Sequence, residues 1–406
     1  MAARALAHAG KQVTILEARE RCGGRIHPLP AQTFGYAAEG GAEFVHGVAP
    51  VTRGLLREAG LALSPMRGTR WSARGGAFAP SEAPPHADRL QRALLDLRTD
   101  LPVAEFLQRH FADPQYSALR RDVTRMVEGY DAADARKAST FALRDEWTGR
   151  GPGHGRIAAG YGALIGFLES ECRKNGVAIR LGAVVTAIEE RRGRIAARCH
   201  DGALIEADVA ILTVPLPLLR AIELPPAARA QAATSADIGF GNVVKILLRF
   251  TTRWWTDHAG LDLADLSFLF SDAVVPTWWT QYPARHAVLT GWYSGPKADT
   301  VARRMGGELI DMGLASLAQI FDLTMDRLRS DLVASQAINW GNDPFARGAY
   351  CYATPKTREA QTVLRKADGS GVLFSGEALY AGPDMGTVEA ALASGQETAR
   401  EILAGG

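Results

Sequence analysis

The sequence predicts an α/β protein of two interleaved domains, and three observations lead to this fold class. The chain opens on a helix, a tight turn and a short apolar strand that ends in an acid, which is typical of half a dinucleotide-binding fold. A charged, helical stretch interrupts this pattern between about Leu55 and Arg156. From Gly160 onward a helix leads into several strands, and a last strand and helix end the sequence.

The opening helix covers MAARALAHAG, because Ala and Leu favour helices and Gly10 can close one. Residues 13–16 form the β-rich strand, and Glu17 follows it. In a Rossmann unit this acid lies roughly 20 residues after the glycine-rich phosphate loop. Counting back from Glu17 passes Met1, so we expect the first strand and the loop to be missing upstream, through a misassigned start or a real truncation.

The middle of the chain predicts the second domain. A helical lobe contains LQRALLDLRTDLPVAEFLQRHF, with Pro- and Gly-rich stretches at APSEAPPH and GRGPGHG. Trp-rich strands and a helix over MGGELIDMGLASLAQIF follow. We assign residues 1–54, 156–220 and 365–406 to a discontinuous Rossmann-like domain. Residues 55–155 and 221–364 then form an α+β domain that carries the helical lobe.

Composition excludes several partners. Of 406 residues, 47% are apolar and 22% charged, the balance of a globular protein with a sizeable core. Neither charge sign forms a block, and no run approaches the ~18 apolar residues of a membrane helix, so we expect neither nucleic acid nor a membrane as partner. The cysteines lack C-x-x-C or zinc-like spacing, which predicts no metal site and a cytoplasmic location. An upstream targeting segment and the oligomeric state stay open.

Three separated stretches carry a resemblance to a known family. They are GKQVTILEARERCGGRI, FGNVVKILLRF after DVAILTVPLPLL, and WGNDPFARGAY with LFSGEALYAGPDMGTVEAALASGQETARE. Together, in family order, they resemble the flavin amine oxidases, which include monoamine oxidases, polyamine oxidases and lysine-specific histone demethylases. The resemblance implies a Rossmann-like FAD-binding domain interleaved with an α+β substrate-binding domain.

The resemblance implies FAD contacts at both ends of the chain. Glu17 would bind the adenosine ribose, while Arg25 and, as a further contact, Arg19 would reach the ribose or phosphates. Glu377 would meet the ribityl and pyrophosphate region. The other implied contacts are the backbone of Val185 at the adenine, Gly41, Ala42 and Trp340 near the flavin ring, and Thr387 and Val388 at the start of the last helix. On pattern alone, each of these residues could also be an ordinary surface or core residue without a role in FAD binding.

Lys245 is the residue expected to assist catalysis. In NVVKILLRF the alternation places it on one face with Val243, Leu247 and Arg249, so either a cavity or a solvated edge fits. The resemblance implies that this lysine holds a water at flavin N5 and assists reoxidation by dioxygen.

Tyr350 resembles the family tyrosine that forms one wall of an aromatic cage beside the flavin. Monoamine oxidases have a second tyrosine where Thr387 stands, so the cage is incomplete here. They also anchor the flavin through a cysteine where this chain has Ala349, which implies non-covalent FAD.

Further residues are expected to meet the substrate. AEGGAEFVHG resembles the family loop over the flavin, in which Glu43 and His46 flank Phe44 and face the substrate. Acids in EGYDAADARKAS would add negative charge that suits a cationic amine. They are Glu128, Asp131 and Asp134.

The resemblance implies an FAD-dependent amine oxidase. Hydride would pass from the carbon next to the amine to the flavin, the imine would hydrolyse to an aldehyde, and dioxygen would reoxidise the flavin to give hydrogen peroxide. Polyamines are the favoured substrates. Two alternatives stay open: an amino-acid oxidase with an arginine that binds the carboxylate, and a truncated, non-catalytic remnant with weak FAD binding.

Overall fold

The largest sheet of the fold has seven strands, in a computed structural model that describes residues 1–148, 153–304, 306–367 and 369–405. The strand order is Leu332–Asn339, Val243–Phe250, Val288–Ser294, Thr277–Trp279, Leu266–Ser271, Thr69–Arg74 and Ala77–Pro80. The strand Val243–Phe250 is buried along almost its whole length, which fits its interior position between Leu332–Asn339 and Val288–Ser294, where both faces are covered. Helix Gly306–Phe321 packs on one face through Leu317 and Met312, which share a core with Ile246.

Parallel strand pairs confirm the predicted α/β class. Thr14–Leu16 pairs with Ala178–Arg180, and Ala210–Leu212 pairs with Val372–Phe374. Beside them lie a three-stranded sheet and three helices: Val185–Arg191, Arg194–Cys199, Leu204–Ala207, Ala2–His8, Tyr161–Lys174 and Val388–Gly405. Each of these elements lies where the sequence predicts it. The expected upstream strand and glycine loop stay a prediction.

The helical lobe is only part of the segment predicted to be helical. Its helices are Ala87–Leu95, Val103–His110, Ser117–Gly129 and Thr140–Thr148. Residues 69–80 instead form a hairpin that joins the large sheet, so the prediction of helix there is wrong. The turn is made by Gly75 and Gly76, both with positive φ, and this Gly-Gly pair is a hairpin signal. Residues 149–152, in the predicted exit from the lobe, lie outside the described residues.

The remaining elements are short helices and antiparallel strand pairs. Further helices are Ala31–Phe34, Pro50–Glu58, Pro226–Ala233, Pro296–Asp299, Met325–Asp331 and Thr357–Arg365. Short antiparallel pairs join Gly239–Gly241 to Tyr350–Tyr352, Leu63–Pro65 to Gly155–Ile157, and Asp257–His258 to Leu261–Asp262. In the part of the chain that the structure describes, no helix has the length and apolar character needed to cross a membrane. The division into two domains stays a prediction.

Candidate active site

One cavity of about 3120 Å³ brings the sequence-predicted site residues together. Its wall includes Glu17, Arg19, Arg25, Gly41, Ala42, Glu43, His46, Val185, Lys245, Trp340, Tyr350, Glu377, Thr387 and Val388. These residues come from both ends and the middle of the chain. Their convergence is a result of the fold, since the resemblance gave only their order in sequence.

At one end of the cavity, Glu17 follows the strand Thr14–Leu16. Its Oε1 accepts a hydrogen bond from the backbone N–H of Arg19 at 2.8 Å, and Oε2 takes no hydrogen bond from the described residues. This free oxygen can accept from a ribose hydroxyl. The Arg19 guanidinium instead makes a bidentate pair with Asp343, at 2.9 and 2.6 Å. This pair engages both terminal nitrogens of Arg19, whereas Arg25 uses only Nη1 in its contacts, so Arg19 is less suited to a phosphate than Arg25.

Arg25 and Glu377 form the next part of the wall. Arg25 Nη1 donates to Glu377 Oε1 at 2.8 Å and to the carbonyl of Ala349 at 2.7 Å. The Cys351 thiol donates to the other oxygen of Glu377. Burial and the Glu377 charge raise the pKa of that thiol well above its usual range. The guanidinium keeps three other N–H donors, and those are available to a pyrophosphate.

The last helix, Val388–Gly405, begins at the cavity wall. The Thr387 hydroxyl donates to the carbonyl of Asp384 at 2.6 Å and accepts from the backbone N–H of Ala390 at 3.2 Å. Thr387 is therefore an N-cap, a role that serine and threonine commonly fill. The positive end of the helix lies against the cavity, where it favours negative charge on a bound group.

The backbone is closely packed at Gly41, which borders the cavity. A Cβ at this position would lie 1.9 Å from the Arg25 carbonyl oxygen and 3.1 Å from the Trp340 ring. Trp340 is 3% exposed and its Nε1 donates to the carbonyl of Gly40, while the N–H of Ala42 donates to the carbonyl of Arg25. Only glycine fits between these groups, so the backbone itself forms the cavity wall here. The acid at the ribose end, the free donors of Arg25 and the helix N-terminus thus fit FAD.

Lys245 is buried beside Gly41. The side chain is 1% exposed, and Nζ donates to Glu43 Oε2 at 2.8 Å and to the carbonyl of Gly41 at 3.1 Å. The solvated-edge alternative for Lys245 is therefore wrong. Glu43 also accepts from Arg156 Nε at 2.8 Å. Desolvation alone would raise the pKa of Glu43, but the Lys245 and Arg156 cations outweigh it and lower that pKa to about 2.

Aromatic side chains extend from Tyr350 along the cavity. The Tyr350 ring lies parallel to Trp292, with centroids 6.5 Å apart, and Trp292 lies 5.7 Å from Trp279. The Tyr350 hydroxyl donates to the carbonyl of Tyr130 at 2.6 Å, and burial raises its pKa well above the usual range. The two tryptophans were not predicted. They extend the aromatic surface of the cavity beyond Tyr350.

His46 belongs to a group of three polar side chains. Its Nδ1 lies 3.0 Å from Nδ1 of His154 and 3.0 Å from the Tyr130 hydroxyl. Desolvation, followed by the neighbouring His154, lowers the pKa of His46 to about 3. His46 is therefore neutral at physiological pH and adds no positive charge to the cavity. Phe44 lies edge-on to His46, with centroids 6.1 Å apart.

Carboxylates line the same region of the cavity. Asp131, Glu146 and Asp384 lie on its wall, and none has an ion-pair or hydrogen-bond partner for its carboxylate among the described residues. Desolvation and the charge of Glu146 raise the pKa of Asp131 well above its usual range. Glu146 is exposed at the wall of this open cavity, and a partial loss of hydration there raises its pKa to about 7. A cation between these groups would stabilise their ionised forms.

The other two expected acids differ in their surroundings. Asp134 is bound to Arg136, whose Nε and Nη2 lie 2.9 Å from its two oxygens, and it is not part of the cavity wall. Glu128 lines the cavity, where desolvation raises its pKa against the opposing effect of Lys297. Of the three acids expected from the sequence, Asp131 is therefore the best placed to meet a cationic substrate.

Several residues of the site were missed from the sequence. They are Arg156, Trp279, Gln281, Trp292, Tyr130, His154, Glu146 and Asp384. The Trp-rich strands were the one available signal, because a strand with several large aromatic side chains suits a cavity wall. The acids and Arg156 carry no local motif.

Comparison with known proteins agrees with the geometry. A family model described as flavin containing amine oxidoreductase matches residues 1–403. Polyamine oxidase 4 of Oryza sativa subsp. japonica is 27% identical, over 99% of this chain and 86% of that protein. A triple mutant of putrescine oxidase superposes with a TM-score of 0.81 at 21% identity, covering 100% of this chain and 96% of that one. Cyclohexylamine oxidase from Brevibacterium oxydans IH-35A gives 0.78 at 18%, with coverage of 100% and 96%. At these identities, the two structures support the fold alone.

Proposed function

This chain belongs to the flavin-containing amine oxidoreductase family, and we propose that its substrates are aliphatic amines with a second cationic nitrogen, as in polyamines. FAD is the cofactor. When bound, FAD would accept hydride from the carbon next to the amine, which turns the amine into an imine that hydrolyses to an aldehyde. Dioxygen would then reoxidise the reduced cofactor and leave as hydrogen peroxide. The chain's own residues bind and orient the two partners of this reaction.

The unpaired carboxylates Asp131 and Glu146 carry the proposal. They lie on the same cavity wall as Tyr350, desolvation raises the pKa of both, and among the described residues neither is paired with a positive charge. An ammonium at a fixed distance from the reacting amine would supply that charge. The related polyamine oxidases support this substrate class by name.

Aromatic groups would receive the reacting amine itself. Tyr350, Trp292 and Trp279 present ring surfaces to the cavity, and such surfaces favour the neutral amine, the form able to lose hydride. Binding one nitrogen at the acids and the other beside the rings would orient the carbon between them. His46, neutral and hydrogen-bonded, would contribute polarity without charge.

Lys245 would act in the second half of the reaction. Its ammonium lines the cavity beside Gly41, the position that the family places next to the flavin ring. A fixed cation at this place would hold a water and assist the reduction of dioxygen, because negative charge develops on the oxygen.

An amino-acid substrate fits the cavity less well. Its carboxylate would face Asp131, Glu146 and Asp384, and like charges in a desolvated site repel. Arg156, a cation close to the cavity, is already bound to Glu43.

We also propose a cytoplasmic location, which four free cysteines support.

A peroxide-coupled assay with putrescine, spermidine, benzylamine and L-leucine tests the proposal. We expect the diamine and the polyamine to have the highest kcat/KM. Asp131→Asn and Glu146→Gln should each raise KM for putrescine about tenfold and leave benzylamine nearly unchanged, as loss of one charge-assisted contact predicts. Glu105→Gln, an exposed acid of the same lobe, is the control. Equal losses on both amines would contradict the proposal, and failure of every amine to reduce the flavin would favour the non-catalytic alternative.

A further inference from the structure

The Glu43 carboxylate is surrounded by hydrogen-bond donors from three separate parts of the chain. Its Oε1 accepts from Arg156 Nε at 2.8 Å, from Gln281 Nε2 at 3.1 Å and from Trp279 Nε1 at 3.1 Å. Its Oε2 accepts from Lys245 Nζ at 2.8 Å. The Glu43 side chain is only 7% exposed. Both oxygens are thus committed within the protein, which argues against the expected role of Glu43 as a direct ligand of the substrate.

The network fixes Glu43 more firmly than Lys245 alone could. Arg156 is itself held, because its Nη2 donates to the Thr280 carbonyl at 3.0 Å and its guanidinium lies 4.7 Å from the Phe44 ring centroid. Two cations around one carboxylate leave the group with a net positive charge. Removing one member of such a buried network leaves the charge of another member buried and unpaired, which costs folding free energy. The geometry is therefore firmly fixed.

Two contacts orient the Lys245 ammonium. An ammonium has three N–H donors, and two of those of Lys245 donate to Glu43 and to the Gly41 carbonyl. The third N–H donates to no acceptor among the residues that the structure describes. Trp279 lies on a further side, with its ring centroid 5.4 Å from Nζ. With two donors and the ring fixed, tetrahedral geometry sets the direction of the third, and Lys245 borders the cavity.

We propose that Glu43 is a positioning residue, held by Arg156, which fixes the Lys245 ammonium for the reaction of the reduced enzyme with dioxygen. The inference rests on the role proposed above for Lys245. It assigns Glu43 to the oxygen half of the reaction. The substrate half is left to the acids across the cavity, so Glu43 variants should change the two half-reactions unequally.

Four proteins test the inference: the wild type, Glu43→Gln, Lys245→Met and the double variant. Each FAD-loaded protein is reduced with dithionite, so that no amine is needed, and mixed with oxygenated buffer in a stopped-flow instrument. Each single variant should slow reoxidation about 10- to 100-fold, the usual cost of a misplaced group. The double variant should be no slower than Lys245→Met, because Glu43 acts through Lys245.

Two further measurements separate positioning from a structural role. Glu43→Gln should slow reoxidation much more than reduction of the flavin by putrescine, whereas a general loss of structure would slow both half-reactions. In thermal unfolding, Glu43→Gln should lower the midpoint more in the wild-type background than in the Lys245→Met background, because Lys245 and Arg156 both lose a partner in the first and only Arg156 does in the second.

Control variants complete the design. Glu39→Gln removes a neighbouring buried carboxylate that makes no hydrogen bond to Lys245, and its reoxidation should match the wild type. If Glu43→Gln does not fold, Glu43→Asp keeps the charge but withdraws it from Nζ, and a partial loss of rate is expected. Wild-type reoxidation in Lys245→Met would overturn the role of Lys245 and this inference together, without touching the amine assay. Slow reoxidation in Lys245→Met with normal rates in both Glu43 variants, or additive losses, would overturn the Glu43 inference alone.

Discussion

Arg25 and Glu377 are separated by 352 residues in the sequence and meet in a 2.8 Å ion pair on the cavity wall. The pair joins the loop after the first strand to the turn that precedes the last helix. Because Arg25 also binds the Ala349 carbonyl, one guanidinium holds together three segments of the FAD site. The site therefore depends on contacts between the ends of the chain.

Glu377→Gln should weaken FAD binding about tenfold, since Arg25 loses a charged partner and with it part of its fixed orientation. Titration of the apoprotein with FAD, followed by flavin fluorescence, measures this. Glu397→Gln is the control. Glu397, on the last helix, pairs with Arg365 and is not part of the cavity wall. Equal affinity of Glu377→Gln and the wild type would show that the ion pair does not support the cofactor.

Gly41→Ala should lower both thermal stability and FAD binding. The added Cβ would lie 1.9 Å from a backbone oxygen, so the loop must move away from its place beside Trp340. Gly54→Ala is a matched control, since the nearest atom to its Cβ is 4.0 Å away and alanine favours the helix Pro50–Glu58. We expect the unfolding midpoint to fall in the first variant and to stay or rise in the second. A Gly41→Ala protein with normal stability and flavin content would contradict the close packing.

The fold was more predictable than the site. Local pattern identified the first helix and strand, because apolar run, turn and acid lie within 17 residues. The burial of Lys245 could not be derived this way, since the carboxylate that compensates its charge is 202 positions away. Glu146 was missed for the same reason: in sequence it is one of many helical acids, and only the fold brings it to the cavity.

FAD should be released by acid precipitation, because Ala349 occupies the position of the anchoring cysteine. The nearest thiol, Cys351, is buried and its hydrogen bond goes to Glu377. The absorbance of the supernatant and pellet after precipitation measures the outcome. Yellow colour that stays with the pellet would indicate a covalent bond, and Cys351→Ala would then show whether this thiol forms it.

The affinity for diamines should increase as pH rises through about 7. Desolvation raises the pKa of Glu146 to about 7, so below this value the group is mostly neutral and offers no charge to a second ammonium. Above it, Glu146 is ionised, while the distal ammonium of putrescine keeps its proton until roughly pH 10. The KM for putrescine should therefore fall relative to that for benzylamine between about pH 6 and 8.

The ratio of the two KM values isolates this effect, because ionisation of the reacting amine and of the groups near the flavin affects both substrates. In Glu146→Gln the ratio should no longer vary with pH over this range, since the titrating carboxyl is gone. Asp131 should add a second, separate rise, as burial and Glu146 raise its pKa well above the usual range. A ratio that stays constant in the wild type would remove Glu146 from substrate recognition and leave the aromatic surfaces as the main determinant of specificity.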